Sequence, residues 1–290
     1  MQPRSLFVTS SDGLRLHALD WGARTAAGAT VVCLPGLTRN ARDFDALAHA
    51  LAQAGRRVLA IDYRGRGLSQ WDPKPARYDI RIENADILTV LAAAGVVRAT
   101  IVGTSRGGLH AMLLGATRPA LLAAVVLNDI GPVIDPRGIA RIRDYVGKLP
   151  APASWDEALG LYQRFAGDQF TALTLEDWRA FVRASYGERD GRPVASYDPA
   201  LMTTLAGLDP KMPLPVLWPQ FLGLRGVPVM AVRGANSDVL AAETLEEMAQ
   251  RHPDCETLVV PGQGHAPLLI DPPTIARILA FVARTDAAPA

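Results

Sequence analysis

The feature that most constrains this chain is a Gly-x-Ser-x-Gly pattern at residues 103–107, with Ser105 at its centre. Residues 99–102 before it are apolar or β-branched and predict a buried strand, whereas residues 109–116 carry apolar side chains at helical spacing. The serine is therefore expected at a sharp strand-to-helix turn, where glycines avoid contacts with neighbouring backbone. Ser105 is the candidate nucleophile, and the alternative is a glycine-rich turn that only joins a strand to a helix.

The rest of the chain largely alternates between short apolar strands and amphipathic helices. An Asp-Gly pair at residues 12–13 first predicts a hairpin. The alternation that follows predicts an α/β fold, with right-handed crossovers and a mostly parallel sheet flanked by helices. Buried strands are expected at residues 30–34, 57–61, 99–102, 122–128, 227–232 and 257–260.

The alternation is interrupted between about residues 133 and 219, where no convincing buried strand is found. Helices are expected to begin near Asp135, Ser154 and Thr174, the last two with an acidic residue three positions further on. We interpret this segment as a helical cap inserted into one α/β core. The core then consists of residues 1–132 and 220–290, and the cap of residues 133–219.

Aromatic residues of the cap and its margin have two possible roles. Trp155, Trp218 and Phe221 are candidates for lining an apolar substrate pocket. Most aromatic side chains of the cap are expected instead to form the cap's own core.

Composition and charge exclude several classes of partner. The 290 residues carry 30 Lys and Arg against 29 Asp and Glu, with no block of like charge, so neither nucleic acid nor an anionic membrane is expected as a partner. No apolar segment approaches a membrane span, and the first residues lack the apolar run of a signal peptide. Cys33, in a predicted buried strand, and Cys255, just before another, indicate a reducing compartment. These features together predict a cytoplasmic protein.

A nucleophilic serine needs a base, and the base needs a third group to orient it. Of the five histidines, His265 lies in a glycine-rich loop directly after the last predicted strand, which makes it the candidate base. Two aspartates are candidate acids, because Asp129 and Asp238 each follow a predicted strand of the sheet. Asp238 is favoured because its strand is expected to neighbour the strand that precedes His265. Asp129 leads into the cap and is expected to bond backbone amides at the cap hinge.

The chain order Ser105, Asp238, His265 is that of the α/β-hydrolase fold. With the glycine-rich turn at residues 35–37 and the loop at residues 62–69, the sequence resembles a lidded member of the α/β-hydrolase superfamily from about residue 14 to residue 282. No metal or organic cofactor is expected, because the sequence has no H-E-x-x-H, no cysteine ligand pair and no dinucleotide-binding glycine pattern.

The resemblance implies an oxyanion hole made of two backbone N–H groups. The family usually has a His-Gly pair after the third strand, and this chain has Pro35-Gly36 instead, so Leu37 N–H is implied as one donor and Arg106 N–H as the other. Pro35 stands where the family usually has a histidine whose side chain supports the loop. The backbone N–H donor is kept. The Arg106 side chain is expected to point back toward the sheet face and to form an ion pair there.

These residues predict hydrolysis of a small, apolar carboxylic ester through an acyl-Ser105 intermediate, with His265 as the base and Asp238 as its orienting acid. A serine at the turn argues against the relatives that open epoxides or displace halide, because those use an aspartate there. A C–C bond hydrolase, a lactonase or a thioesterase on the same triad is an alternative. A non-enzymatic receptor for a small ligand is disfavoured by the intact triad. The sequence leaves the acyl and alcohol groups and the oligomeric state open.

Overall fold

The computed structural model describes residues 2–145, 148, 150–206 and 214–286, and in these residues strands and helices alternate as the sequence predicts. The strands are β1 (Arg4–Thr9), β2 (Arg15–Trp21), β3 (Thr30–Leu34), β4 (Val58–Asp62), β5 (Ala99–Thr104), β6 (Leu122–Asn128), β7 (Tyr186–Arg189), β8 (Arg192–Ala195), β9 (Val229–Gly234) and β10 (Cys255–Val260). The helices are α1 (Asp45–Gln53), α2 (Ile80–Ala93), α3 (Arg106–Thr117), α4 (Pro136–Tyr145), α5 (Trp155–Ala166), α6 (Leu175–Ser185), α7 (Thr203–Ala206), α8 (Trp218–Leu222), α9 (Ala242–Arg251) and α10 (Pro272–Asp286).

Eight of these strands form one sheet in the order β1-β2-β4-β3-β5-β6-β9-β10. The hairpin β1–β2 and the pair β2–β4 are antiparallel, and the other pairs are parallel. This arrangement confirms the predicted α/β-hydrolase fold. Because β3, β5, β6, β9 and β10 are parallel, the loops that follow them open at the same edge of the sheet.

The sheet is buried on both faces, so neighbouring residues of one strand contribute to different apolar clusters. Val32 and Leu34 of β3 pack in a cluster with α2, α3 and α9, whereas Val31 and Cys33 pack on the other face with α1 and α10. The central strands therefore read as continuous apolar runs in the sequence, as parallel strands usually do.

Between β6 and β9 the chain crosses over the sheet edge and forms α4 to α7 and a hairpin. The Ser154 and Thr174 side chains cap α5 and α6 as predicted, each accepting from the N–H three residues on. The sequence predicts a helical segment without a buried strand, and the structure adds β7 and β8, which form a two-stranded antiparallel sheet. Its largely exposed strands lack the apolar alternation that predicts a strand. Residues 146, 147, 149 and 207–213 of the predicted cap lie outside the described residues.

No helix in the described part of the chain is long and apolar enough to span a membrane.

Candidate active site

Ser105 lies at the turn between β5 and α3, in the strained conformation that the glycine pattern predicts. Its φ of 51° and ψ of −111° place it in a backbone region that costs a non-glycine residue about 1–3 kcal/mol. Two glycines make the turn possible. A Cβ on Gly103 would lie 2.4 Å from the Gly107 carbonyl oxygen, and a Cβ on Gly107 would lie 2.0 Å from the Leu34 carbonyl oxygen. The turn therefore excludes any side chain at these two positions.

The structure brings Ser105, His265 and Asp129 into one hydrogen-bonded chain. His265 Nε2 lies 2.9 Å from Ser105 Oγ, and His265 Nδ1 lies 2.8 Å from Asp129 Oδ2. The imidazole is 6% exposed and the Asp129 carboxylate is fully buried. Both distances are within the hydrogen-bond reach that a nucleophile, its base and the orienting acid require.

Asp129 directly follows β6 and is fixed by hydrogen bonds on every side. Its backbone N–H donates to the Val232 carbonyl at 2.8 Å. Its Oδ1 accepts from the Gly234 N–H at 2.8 Å, and its Oδ2 accepts from Ser237 Oγ at 2.5 Å in addition to facing His265. These donors fix the orientation of the carboxylate toward the imidazole.

The prediction that Asp238 orients His265 is wrong. Its carboxylate forms a two-point ion pair with Arg141 of α4, with Nε–Oδ2 at 2.6 Å and Nη2–Oδ1 at 2.9 Å. Burial raises the pKa of Asp238, but the hydrogen bond and charge of Arg141 outweigh it and hold the pKa below its ordinary value. The sheet order explains the error, since β6 lies between β5 and β9 and its end is next to the serine turn. Asp238 stands beyond the end of β9 and faces α4.

Asn128 and Gln169 also contact this site, and sequence reasoning missed both. Asn128 Nδ2 donates to Thr104 Oγ1 at 3.0 Å and to the Pro267 carbonyl at 2.9 Å, and so ties the serine turn to the histidine loop. Gln169, which follows α5, accepts from the His265 N–H through Oε1 at 3.1 Å. Asn128 could have been predicted as a site residue, because it is a polar residue at the end of a buried strand. No local pattern identifies Gln169.

The two residues implied as oxyanion donors lie close to Ser105. The turn after β3 passes close to the serine, since a Cβ on Gly36 would lie 3.9 Å from Ser105 Cβ. Arg106 is the first residue of α3, and the first N–H groups of a helix have no partner within the helix. Tyr63, which directly follows β4, stabilises the loop at Pro35, because its Oη donates to the Pro35 carbonyl at 3.1 Å.

A cavity of about 390 Å³ opens onto Ser105 and His265, between the loops at the edge of the sheet and the helices α4, α5 and α6. Its walls are mainly apolar. Most of the aromatic side chains come from α5, α6 and the loop between them, and Phe44 comes from the turn before α1. The lining includes Leu37, Phe44, Ile142, Tyr162, Phe165, Phe170, Phe181, Leu268, Leu269 and Ile270.

Trp155, Trp218 and Phe221 do not line this cavity, so their prediction as pocket residues is wrong. Trp155 packs edge-on against Tyr186 inside the cap. Trp218 and Phe221 pack together on α8, where Phe221 is fully buried in the core cluster. Aromatic residues occur both in the cavity wall and in the packed interior of the segment 133–219. The sequence does not indicate which face of a helix borders the cavity and which packs inside.

The model of the alpha/beta hydrolase family matches residues 31–278 of this chain. The chain belongs to the alpha/beta hydrolase family. It is similar to the 3-hydroxybutyrate-oligomer hydrolase of Cupriavidus necator, with 34% identity over 94% of this chain and 96% of that one. It is also similar to an sn-1-specific diacylglycerol lipase of Mus musculus, with 29% identity over 87% of this chain and 79% of that one. Among solved structures, an alpha/beta hydrolase from Novosphingobium aromaticivorans has a TM-score of 0.89 and 38% identity, covering 98% of this chain and 99% of the other.

Charged residues also line the cavity of this hydrolase, and two of them, Arg39 and Asp43, form an ion pair in its wall. Arg39 binds Asp43 at two points, with Nε–Oδ2 at 2.7 Å and Nη2–Oδ1 at 2.5 Å, and its guanidinium lies 4.6 Å from the centre of the Phe181 ring. Burial raises the pKa of Asp43, whereas the charge and hydrogen bonds of Arg39 oppose the rise. Arg39 also donates to Ser185 Oγ, which connects the loop after β3 to the end of α6.

Within the residues that the structure describes, no group of three or more His, Cys, Asp or Glu side chains is placed to hold a metal ion.

Proposed function

We propose that this alpha/beta hydrolase cleaves small carboxylic esters through an acyl-Ser105 intermediate. The observation that carries the proposal is the continuous hydrogen-bonded chain from Ser105 Oγ through His265 to Asp129. This arrangement of nucleophile, base and orienting acid is the one that makes a serine hydroxyl reactive at neutral pH.

In the proposed first step, His265 Nε2 accepts the Ser105 proton while Oγ attacks the ester carbonyl. Asp129 accepts the Nδ1–H, which keeps Nε2 free as the base and stabilises the imidazolium that forms. His265 then donates its proton to the leaving alcohol, and the acyl group stays on Ser105. A water molecule, deprotonated by His265, attacks the acyl-enzyme and releases the carboxylic acid and the free serine.

Leu37 N–H and Arg106 N–H are proposed to bind the oxyanion of each tetrahedral intermediate. Each donor in such a site typically contributes about 3 kcal/mol to lowering the barrier. The support is that the loop after β3, which carries Leu37, passes close to Ser105 and that Arg106 begins α3 directly after the serine.

The cavity supports an apolar substrate of limited size, and we propose short to medium acyl chains. The relative from Cupriavidus necator acts on oligomers of 3-hydroxybutyrate, which are esters of a short hydroxy acid, so such oligomers are the natural substrates to test first. The segment 133–219 is proposed to act as the cap of this cavity, since α4, α5 and α6 contribute side chains to its wall. Cys33 and Cys255 are both free thiols, which supports the proposed cytoplasmic location.

The nucleophile is tested with a fluorinated or p-nitrophenyl organophosphonate. One phosphonyl group is expected per chain, and mass spectrometry should place it on the peptide that contains Ser105. Ser105→Ala should lower kcat by about 10⁶, as removal of a triad nucleophile does in comparable enzymes. Labelling at another residue, or an alanine variant that keeps most of its activity, would refute the assignment.

The bond type is tested with a substrate panel. We expect turnover of p-nitrophenyl acetate and butyrate and of 3-hydroxybutyrate dimers, with lower kcat/KM for long-chain esters. A protein that leaves all of these intact and cleaves a vinylogous diketone or an acyl thioester would replace ester hydrolysis by one of those alternatives.

A further inference from the structure

A carboxylate that does not contact the Ser105–His265–Asp129 chain is completely buried behind the serine turn. Glu83 lies in the first turn of α2 and is 0% exposed. Its Oε1 lies 2.6 Å from Arg66 Nη1, and its Oε2 lies 2.7 Å from Arg106. Oε2 also lies 3.1 Å from His110 Nε2. One carboxylate thus binds two guanidinium groups from two different parts of the chain.

The first guanidinium leads to the loop that carries Leu37. Arg66 is itself fully buried, and its Nε donates to the Leu37 carbonyl oxygen at 2.8 Å. Together with the bond from Tyr63 to Pro35, this contact fixes the peptides on either side of the Leu37 N–H. In this chain, therefore, side chains from the loop after β4 support the turn at Pro35.

The second guanidinium belongs to the residue that follows the nucleophile. Arg106 directs its side chain away from the cavity onto α2, where Nε and Nη2 both reach Glu83. The sequence predicts an ion pair for this side chain on the sheet side, and the partner is a helix residue instead. Because Arg106 begins α3, anchoring its side chain also limits movement of its backbone N–H.

The charges of this cluster are arranged to keep Glu83 ionised. Burial alone raises the pKa of Glu83, but the charges of Arg66 and Arg106 outweigh it and bring the pKa below its ordinary value. Burial lowers the pKa of His110, whereas the neighbouring Glu83 carboxylate opposes this. Removing charges from water costs several kcal/mol per ion, and a buried ion pair is therefore weak evidence for stabilisation by itself. A role in positioning explains why the cluster connects both oxyanion residues.

We propose that Glu83 is a positioning residue for the oxyanion hole: through Arg66 and Arg106, this single buried carboxylate sets the spacing of the Leu37 and Arg106 backbone N–H groups. The inference rests on the proposed ester hydrolysis. Glu83 does not touch substrate, and its effect on rate is expected only where charge develops on the carbonyl oxygen.

The chain offers a matched control one helical turn away. Asp86 is also buried on α2, and it forms a two-point ion pair with Arg64 of the same loop, at 2.6 and 2.8 Å. The Arg64 guanidinium otherwise bonds Asp12 and Asp72, not the oxyanion loop. Glu83→Gln and Asp86→Asn each remove one buried negative charge with almost no change in shape, so both should lower the melting temperature.

The experiment compares kcat, KM and the affinity for a trifluoromethyl ketone, which forms a tetrahedral adduct with the serine. For Glu83→Gln we expect kcat to fall 10- to 100-fold and the ketone to bind more weakly by a similar factor, with KM changed less than about twofold. For Asp86→Asn we expect kcat and ketone affinity within about threefold of wild type. This pattern separates a loss of oxyanion binding from a general loss of stability.

Equal losses of kcat in Glu83→Gln and Asp86→Asn, or an unchanged kcat in Glu83→Gln, would overturn the inference. If Glu83→Gln does not fold, Arg106→Met takes its place, because it breaks the link to Glu83 and keeps the backbone N–H. A folded Arg106→Met variant with wild-type kcat and ketone affinity would also overturn it. Failure of the proposed function is a separate result, since the wild-type protein would then not hydrolyse esters at all.

Discussion

Replacing Asp129 by asparagine should nearly abolish turnover while leaving the fold intact. The carboxylate faces His265 Nδ1 at 2.8 Å and has no exposed surface. An asparagine of the same shape still accepts from the Gly234 N–H through its carbonyl oxygen at the position of Oδ1. Its NH₂ group, however, meets His265 Nδ1, and this contact favours the tautomer with the proton on Nε2. In that tautomer Nε2 cannot accept the Ser105 proton.

The expected loss in kcat is about 10⁴, the size found when an orienting aspartate is replaced by asparagine in a serine triad. This corresponds to about 5.5 kcal/mol in the activation free energy, at 1.36 kcal/mol for each factor of ten. The hydrogen bonds that Asp129 makes to Gly234 and Ser237 contribute roughly 1 kcal/mol each to stability, so the melting temperature should change by only a few degrees.

Asp238→Asn is the matched control, because Asp238 also follows a strand at this edge of the sheet. It breaks the pair with Arg141, in which the two side chains are 27% and 23% exposed. Partly exposed ion pairs typically contribute about 0–1 kcal/mol, so kcat should stay within about fivefold of wild type.

The assay is p-nitrophenyl butyrate hydrolysis by both variants at one pH, with thermal melting curves measured on the same samples. If Asp238→Asn loses four orders of magnitude while a folded Asp129→Asn variant keeps its turnover, the assignment of the acid from the structure is wrong.

Three further outcomes are expected. Folding lowers the pKa of Glu83, so the ionised carboxylate stabilises the fold at pH values above 4.5, the pKa of this group in the unfolded chain. This contribution disappears as the pH falls below that value. Urea denaturation should therefore show the stability difference between wild type and Glu83→Gln narrowing from about pH 5 to pH 3; a constant difference would mean that Glu83 is not an ionised partner. Gly107→Ala should destabilise the protein by about 3 kcal/mol in the same assay, because its Cβ would overlap the Leu34 carbonyl; a wild-type unfolding midpoint would contradict this. Gln169→Ala removes the side-chain oxygen to which the His265 N–H donates, and it should lower kcat about fivefold with little change in melting temperature. An unchanged kcat would show that Gln169 does not position the histidine.

The sequence by itself determined the fold and the two residues at the centre of the site. The serine turn is predictable because its constraints are local: Gly103 and Gly107 lie within two residues of Ser105, and the strand and helix on either side are visible as apolar patterns. His265 is predictable for the same reason, since the chain has to bend out of the last strand through a glycine-rich loop. The hairpin β7–β8 shows the limit of local patterns, because its mostly exposed strands carry no apolar alternation.

The tertiary structure alone decided which aspartate faces His265, which aromatic residues line the cavity and what the Arg106 side chain binds. Asp129 and Asp238 both follow strands that end at the same edge, and their local sequences do not separate them. The order of strands in the sheet separates them, because it places the end of β6 next to the serine turn. The carboxylate of Asp238 is bound instead by Arg141 of α4. Glu83 likewise reads as an ordinary polar residue in the first turn of a helix. It becomes the partner of Arg66 and Arg106 only because the fold brings the loop after β4 and the start of α3 within hydrogen-bond distance of this one buried carboxylate.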